Sequence, residues 1–367
     1  MKRPTFFKQK SKIDKNLLVL IIVLVFVGLV AVADASAPQA LNSFGDKFYF
    51  LKQQLVWAGI GLATLLVVAN IHYSFWEKVA TPFFFVSVGL LLFVLLPHFG
   101  FAALGARRWI SLGFFNLQPS ELIKLSLCIF LAKVASKNKN AISYFVPVVI
   151  VLGLIMLQPD LGTTMVVAIF ALSQIFISDV NLLYFFGALV VGGLGTLGLI
   201  LLSPYRRDRL NTFFEMTGDP LGKSYHIRQI LLGLGSGGIF GVGLGASRQK
   251  YLFLPESSTD SIFAVIGEEL GIIGSIAIIA LYAYFLFRGL NIARRAPDTF
   301  SKVLATGIVA WISGQVFLNI ASMTALVPLT GIPLPFISYG GSSLVMVLVG
   351  CGILLNISKY TIDETRK

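Results

Sequence analysis

Ten strongly apolar runs follow one another along this chain, and they limit its possible folds more than any other feature. A helix needs about 20 mostly apolar residues to cross the hydrocarbon core of a bilayer. The composition agrees, because 56% of the 367 residues are hydrophobic and 13% are charged, against about 25% charged in a soluble domain. We therefore expect an all-α polytopic membrane protein with ten transmembrane helices. The runs occupy residues 17–35, 51–71, 79–98, 119–135, 142–157, 162–178, 182–203, 260–286, 303–323 and 341–358.

The distribution of Lys and Arg predicts the orientation. Basic loops stay in the cytoplasm, and ten spans place both termini on one side. Most of the 29 basic residues lie on the side of the N-terminus, so both termini are expected to be cytoplasmic. The predicted parts are a basic cytoplasmic N-terminus (1–16), a single ten-helix membrane domain (17–358), and a cytoplasmic tail (359–367). Within the membrane domain, residues 204–259 form a large extracytoplasmic loop before helix eight.

Three other classes of protein are disfavoured. Ala33-Asp34-Ala35 imitates a signal-peptide cleavage site, but the first apolar run is longer than a usual signal core, which favours a retained helix. The net charge of +12 would suit nucleic acid, but the basic residues flank apolar runs as topology signals do, so no nucleic acid is expected. The three His residues are scattered, and Cys128 and Cys351 lie inside apolar runs, which predicts neither a zinc site nor a disulfide framework.

Basic residues also collect on the predicted outer side, against the topological rule. A translocated loop that keeps arginines is expected to hold an anion, and the planar guanidinium fork suits phosphate. The alternative is that these long side chains reach lipid phosphates at the membrane surface. Lys124, about one turn into the fourth run, adds a further cation. The outer basic residues are Arg107, Arg108, Arg206, Arg207, Arg209, Lys223, Arg228, Arg248 and Lys250.

The stretch 251–271 passes from a polar loop into an apolar run and carries four carboxylates. Ionised groups at membrane depth are costly and are functional candidates by default. Asp260 stands where the loop becomes a helix, so it is either an N-cap or a general base in a water-filled cleft. Glu256, four residues earlier, lies near the opening of the same cleft. Along a continuous helix Glu268 lies about 80° from Asp260 and Glu269 about 180°. An ion pair inside the bundle is open to both, but Glu268 is expected to line a cavity and Glu269 to form the ion pair.

Two shorter segments place more polar groups on the same side. The segment 105–124 is predicted to be a turn followed by a helix start. Glu121 and Lys124 share one helix face, where they either neutralise each other or set one ammonium beside a phosphate. Asp160, in the sequence Gln-Pro-Asp-Leu-Gly, either caps the next helix or faces the cleft, and a turn alone explains the Pro and Gly.

The glycine-rich segments favour backbone roles over nucleotide binding. A G-x-G-x-x-G match begins at Gly233, but no strand precedes it, so a dinucleotide fold is rejected. A Gly-Lys-Ser sequence likewise falls one residue short of a P-loop. The glycines of 233–245 instead predict close backbone packing or a re-entrant hairpin. The segment 331–343 supplies the hydroxyls of Ser338 and Ser342 next to a helix start, which is a natural anion site.

Together these stretches resemble the SEDS family (shape, elongation, division and sporulation), polytopic proteins that include FtsW, RodA and SpoVE. They occur in the family's order, and 205–229 and 265–271 are more similar to FtsW or SpoVE than to RodA. The matching stretches are 105–124 with its Gln-Pro-Ser-Glu-Leu-x-Lys, 158–162, 219–222 with Tyr225 and Gln229, 235–245, Ser247 with 249–250, 254–256, 259–260, 262–271 and 330–343.

The resemblance implies a peptidoglycan glycosyltransferase in the bacterial cytoplasmic membrane, acting in cell division or cell-shape maintenance. Such proteins polymerise lipid II, the undecaprenyl-pyrophosphate-linked disaccharide-pentapeptide, into glycan strands. They work with a class B penicillin-binding protein and with other divisome or elongasome membrane proteins. Asp260 matches the family's essential aspartate, and Glu121, Lys124 and Asp160 match further positions of importance.

The residues and the resemblance together give a mechanistic hypothesis. Asp260 deprotonates the 4-hydroxyl of the acceptor sugar, whose oxygen attacks the anomeric carbon of the lipid-linked donor with inversion. Fixed cations stabilise the departing pyrophosphate, and a divalent cation (Mg or Mn) is an optional addition to them. The predicted substrate-binding residues are Arg107, Arg108, Glu121, Lys124, Asp160, Arg206, Lys250, Glu256, Ser338 and Ser342. Two alternatives stay open: a lipid II flippase, whose anionic headgroup would also suit ten helices with buried charges, and a non-catalytic scaffold for the penicillin-binding protein.

Overall fold

The computed structural model describes residues 13–96, 100–103, 106–111, 113, 116–137, 140–178, 180–202, 207, 211–214, 224–251 and 253–362. Of residues 100–103, 106, 107, 196, 197, 199, 200 and 202 it describes the backbone alone. Most of the predicted cytoplasmic N-terminus, part of the loop 204–259 and most of the tail therefore lie outside the described residues.

Helices dominate the described chain, because its apolar runs satisfy every backbone hydrogen bond internally when they are helical. They are α1 Lys15–Ala35, α2 Ala37–Phe44, α3 Tyr49–Asn70, α4 Ser74–Leu95, α5 Pro119–Ser136, α6 Ile142–Leu157, α7 Leu161–Ile177, α8 Leu182–Leu202, α9 Tyr225–Ser236, α10 Ile262–Arg294, α11 Thr299–Met323 and α12 Gly341–Ser358.

Each of the ten predicted runs contains a helix. In the part of the chain that the structure describes, six helices are long and apolar enough to cross a membrane: α1, α3, α4, α10, α11 and α12. The apolar parts of α6, α7 and α8 are shorter, and α5 carries Glu121, Lys124 and Lys133. The lengths and compositions indicate a multi-pass membrane protein, while the number of ten spans stays a prediction.

A small antiparallel sheet corrects the all-α expectation. Its strands are β1 Gly100–Ala103, β2 Ala106–Ser111 and β3 Asn116–Leu117, in the region predicted to be a turn. β2 pairs with β1 through Phe101 and Trp109 and with β3 through Ile110 and Leu117. Aromatic and β-branched residues favour such a sheet, but strands this short give little periodic signal in the sequence.

The core of the bundle is organised around α11. This helix packs against α5, α7, α10 and α12, and its residues from Val303 to Val309 are all buried. α3 packs along α12, and α4 along α5. α8 packs against α7, and most of its described side chains are exposed.

Polar contacts connect several helix ends at the end of the bundle where the N-terminal helix begins. Arg288 Nη2 lies 2.5 Å from Asp14 Oδ2, and the Tyr73 hydroxyl donates a hydrogen bond of 2.6 Å to Asp298 Oδ2. Burial is the main cause that raises the pKa of the Tyr73 phenol, and this hydrogen bond raises it further. Asp298 also caps α11 by accepting from Ser301 N at 2.8 Å. These contacts place the first turns of α1 and α11 at one end of the bundle.

Candidate active site

Asp260 lies at the opposite end of the bundle, one residue before the cap of α10. The N-cap is Ser261, which makes no side-chain capping bond, so Asp260 does not occupy the cap position that was its alternative interpretation. Its carboxylate is half-buried, with Thr259 Oγ1 3.4 Å from Oδ1. A Cβ built on Gly331 would lie 3.7 Å from Asp260 Oδ2. The segment that follows α11 therefore forms a wall beside this carboxylate.

That segment, residues 324–340, is hydrogen-bonded to the chain that carries Asp260. Ser338 Oγ donates to the carbonyl of Thr259 and accepts from Leu334 N at 2.7 Å. Tyr339 N donates to the carbonyl of Ser258 at 2.9 Å. The Ser338 hydroxyl thus joins two segments in this structure, and its predicted contact with substrate stays a prediction. Ser342 is buried in the first turn of α12, where free backbone amides are suited to an anion.

Two amide side chains on α11 donate hydrogen bonds to the segment 324–340, and one of them also donates to the main chain at Asp260. Asn319 Nδ2 donates to the main-chain carbonyls of Asp260 and Ile332, at 2.8 Å each. Gln315, one turn earlier, donates through Nε2 to the carbonyl of Pro333 at 2.9 Å. Neither residue was predicted from the sequence. The only signal for them was polarity inside an apolar run, recurring at one-turn spacing.

Glu121 and Lys124 form a buried ion pair next to Gln315. Lys124 Nζ lies 2.8 Å from Glu121 Oε1 and 2.9 Å from Gln315 Oε1, and it lies 5.2 Å from the centre of the Trp311 ring. Both charged side chains are only 2–3% exposed. The mutual neutralisation that was one interpretation of this pair is therefore present. Glu121 Oε2 has no hydrogen-bond partner among the described residues.

Arg108 and Asp160 hold the turn between α6 and α7. Arg108 donates through Nε to the carbonyl of Gln158 at 3.1 Å and through Nη2 to that of Pro159 at 2.6 Å, while its Nη1 lies 3.9 Å from Asp160 Oδ2. Asp160 caps α7 by accepting from Thr163 N at 3.0 Å, which confirms the capping interpretation. A Cβ on Gly162 would lie 2.7 Å from the carbonyl of Thr330, so this turn adjoins the wall beside Asp260.

Lys250 lies in a second buried charge cluster. Its Nζ is 2.7 Å from Asp34 Oδ1 and 2.8 Å from Glu269 Oε1. Burial alone would lower the pKa of Lys250, but the hydrogen bonds to Asp34 and Glu269 outweigh it and raise that pKa. The predicted ion pair of Glu269 is confirmed. Lys250 thus joins the end of α1 to α10, and its predicted contact with substrate stays a prediction.

Glu268 does not line a cavity, and that expectation was wrong. Its carboxylate is buried, accepts from the hydroxyl of Ser247, and accepts from Arg248 N at 3.1 Å and Gln249 N at 3.3 Å. The loop folds back over α10 and supplies these donors. The angular count along α10 gave no sign of that return.

Glu256 lies at the exposed rim of the site. It has φ +51°, a conformation that costs a non-glycine residue about 1–3 kcal/mol, and its carbonyl accepts from Thr259 N and Ser261 N at 3.1 Å each. Its carboxylate accepts from Thr259 Oγ1 at 2.7 Å. The side chain of Arg107 and the whole of Arg206 lie outside the described residues. Among the residues that are described, no group of three or more His, Cys, Asp or Glu side chains is arranged to hold a metal ion.

The arrangement corresponds to a known family. The family model described as cell cycle protein, FtsW/RodA/SpoVE, matches residues 14–363. The chain belongs to the FtsW/RodA/SpoVE family. Stage V sporulation protein E of Bacillus subtilis (strain 168) is 42% identical over 361 residues, which cover 96% of this chain and 99% of that protein. A probable peptidoglycan glycosyltransferase FtsW of Trichlorobacter lovleyi is 40% identical over 356 residues, covering 95% and 93% of the two chains.

Two solved structures share the fold of this chain. The crystal structure of the rod shape determining protein RodA of Thermus thermophilus superposes with a TM-score of 0.71 at 27% identity, covering 96% of this chain and 98% of that one. A chain from a peptidoglycan synthase complex, described for its structural coordination of polymerization and crosslinking, gives a TM-score of 0.76 at 28% identity and covers 96% and 99%.

Proposed function

We propose that this protein is a peptidoglycan glycosyltransferase that polymerises lipid II at the outer face of the bacterial cytoplasmic membrane, in cell division or cell-shape maintenance. The observation that carries the proposal is the position of Asp260. It is a half-buried carboxylate at the end of the bundle away from the N-terminus, held through its backbone by Asn319 and adjoined by Gly331. Relatives spanning nearly the whole chain are named as peptidoglycan glycosyltransferases.

Asp260 acts as general base in this proposal. Its carboxylate accepts the proton of the acceptor sugar's 4-hydroxyl, and the resulting oxygen nucleophile attacks the anomeric carbon of the donor. The bond between that carbon and the pyrophosphate oxygen breaks, and undecaprenyl pyrophosphate leaves with the electron pair. A general base in hydrogen-bond reach contributes about 10²–10⁴-fold to the rate. The segment 324–340 and α11 fix the backbone that carries the base.

The leaving group needs cations, and three of the predicted cations are already paired in this structure. Lys124 pairs with Glu121, Lys250 with Asp34 and Glu269, and Arg108 with the 158–160 turn. We assign Lys124 and Lys250 to supporting the architecture of the site and keep Arg107 and Arg206 as the predicted pyrophosphate ligands. The amides in the first turn of α12, beside Ser342, are a further candidate for this anion.

The proposed orientation has ten spans with both termini in the cytoplasm and Asp260 outside. The basic residues of the N-terminal side support it, since basic loops stay cytoplasmic. A class B penicillin-binding protein is the proposed partner, because a similar chain was solved within a peptidoglycan synthase complex. A flippase or a pure scaffold is less favoured, because neither explains why similar proteins are named as glycosyltransferases.

The test of the function is polymerisation of labelled lipid II by the purified protein in detergent, with and without its class B penicillin-binding protein. Detergent removes both the second leaflet and any gradient, so a transporter makes no product there. Glycan polymer from this protein, with the partner's transpeptidase chemically blocked, is the expected result. Absence of polymer under all conditions, including added Mg²⁺ or Mn²⁺, would overturn the proposal in favour of transport or scaffolding.

A further inference from the structure

α10 is broken at Gly271, and another part of the chain completes it. Gly271 has φ 64° and ψ −163° inside the helix. On the far side of the break, Ile272 N and Ile273 N donate to the carbonyls of Gly238 and Ile239 at 3.0 and 3.2 Å. On the near side, the carbonyls of Glu268 and Glu269 accept from Val242 N and Gly243 N at 3.0 and 3.1 Å. Four main-chain groups at the break are thus paired with residues 237–245, called here the glycine segment.

Glycine is required where the two backbones touch. A Cβ on Gly237 would overlap the carbonyl of Gly267, and a Cβ on Gly241 would overlap the carbonyl of Glu269. Gly241 also has φ +81°, which side chains other than glycine rarely adopt. The glycine segment is therefore fixed against α10 by backbone contact, and its own side chains point away from this contact.

Those side chains are apolar and exposed. Phe240 is 80% exposed, Leu244 73%, Ile239 60% and Val242 45%. No charged residue occurs between Arg228 and Arg248. Large exposed apolar groups clustered in one short segment mark an interaction site. The same exposed apolar surface continues on α10 at Ile272, Ile273 and Ile276.

The contacts of Glu269 fix the depth of this segment. Glu269 is joined through Lys250 to Asp34, in the last turn of α1. A helix of 21 residues is about 31 Å long, close to the ~30 Å hydrocarbon core, so the last turn of α1 lies at the outer boundary of that core. The glycine segment bonds to the carbonyl of Glu269 itself and lies at the same boundary.

We propose that the glycine segment is an interfacial anchor, whose Ile239, Phe240, Val242 and Leu244 side chains enter the acyl-chain region of the outer leaflet. The occupant of this surface is lipid, because the segment is uncharged, lies at the boundary of the hydrocarbon core, and continues the apolar face of a candidate spanning helix. The anchor fixes the depth of the outer part of α10 relative to the leaflet. The first turn of α10 follows Asp260, so the anchor also fixes the height of that residue. It rests on the proposed orientation of α10 and not on enzymatic activity.

Spin-label accessibility in proteoliposomes of the full-length protein tests the anchor. Both native cysteines are fully buried, so labelled wild-type protein measures the background. Phe240→Cys and Leu244→Cys carry the probe, Ile276→Cys on α10 serves as the lipid reference, and exposed Lys47→Cys serves as the water reference. Collision rates are measured with oxygen, which concentrates in acyl chains, and with a nickel chelate, which stays in water.

The expected result is an oxygen-to-nickel ratio at both probe positions that matches Ile276 and is several-fold above Lys47. A ratio matching Lys47 would overturn the anchor, because the segment would lie in water. Shielding from both reagents would also overturn it, because protein and not lipid would then cover the segment. If Ile276 itself matched Lys47, the orientation of α10 would fail, and the anchor with it. Polymerase activity plays no part in any of these outcomes.

Discussion

The side-chain amide of Asn319 donates a hydrogen bond of 2.8 Å to the main-chain carbonyl of Asp260 and a second of 2.8 Å to that of Ile332. One fully buried side chain on the central helix thus connects the residue proposed as the base to the wall beside it. Since α11 also contacts the buried Lys124 through Gln315, the position of Asp260 depends on the packing of several helices.

Replacing Asn319 with Leu should lower the turnover rate about 10- to 100-fold with little change in lipid II binding. The substitution leaves two carbonyls unpaired, and displacement of a catalytic group by about 1 Å can cost up to 10²-fold. Gln174→Leu is the matched control, because Gln174 is equally buried and donates to the carbonyls of Cys128 and Val303 at 2.9 and 3.1 Å. Both variants should lower the melting temperature. Equal loss of turnover in both would reduce Asn319 to a purely structural residue.

Much of this fold is local in origin, and that part could be predicted. The apolar runs predicted ten of the twelve helices described above, because a run that must lie in lipid has few alternatives to a helix. Asp260, Asp160 and Glu121 could be singled out as candidates because carboxylates next to apolar runs are rare. The small sheet around Trp109 was missed, because its strands are too short for a clear alternation.

The rest depends on contacts between residues distant in sequence. Glu268 was misplaced because its partners, the amides of Arg248 and Gln249, return to α10 from a separate loop. The ion pair of Lys250 with Asp34 was not predicted, because nothing near Lys250 in sequence reveals Asp34, which belongs to α1. Asn319 was missed for the same reason: its two carbonyl partners are known only after α10, α11 and the segment 324–340 have been packed together.

The buried pair of Glu121 and Lys124 should show strong coupling. Removing one partner of a buried ion pair leaves an uncompensated charge and costs about 3–5 kcal/mol. Glu121→Gln and Lys124→Met should each lower the thermal stability markedly, whereas the double variant should lose much less than the sum of the two. Thermal unfolding in detergent, arranged as a double-mutant cycle, measures this. Additive losses would show that the two charges do not stabilise each other.

The cluster of Lys250, Asp34 and Glu269 should respond to alkaline pH. Because the folded-state pKa of Lys250 is raised above its ordinary value of 10.5, its contribution to stability is fully present below pH 10.5 and is lost as the pH rises through the folded pKa. Wild-type protein should therefore lose a component of its melting temperature above pH 10.5 that Lys250→Met already lacks at neutral pH. Parallel melting curves across that range for the two proteins would contradict the assignment.

Gly235 and Gly237 should differ sharply in their tolerance of substitution by alanine. Gly237→Ala places a methyl group against the carbonyl of Gly267, whereas Gly235→Ala meets no atom within 4 Å. We expect Gly237→Ala to destabilise the protein by at least about 1–3 kcal/mol through overpacking and Gly235→Ala to be neutral or slightly stabilising. Melting temperatures of the two variants provide the comparison. Equal tolerance would mean that the glycine segment does not pack against α10 as described.

The most direct measurement of the central claim is the single-turnover rate of glycosidic bond formation by Asp260→Asn, with lipid II binding measured in parallel. Asp46→Asn is the matched control, since Asp46 is a carboxylate between α2 and α3 that pairs with Lys52 at 2.7 Å. We expect Asp260→Asn to bind lipid II normally, to melt like the wild type and to be slower by at least about 10²-fold, while Asp46→Asn is unchanged. A folded Asp260→Asn that forms the bond at the wild-type rate would contradict the assignment of Asp260 as the base.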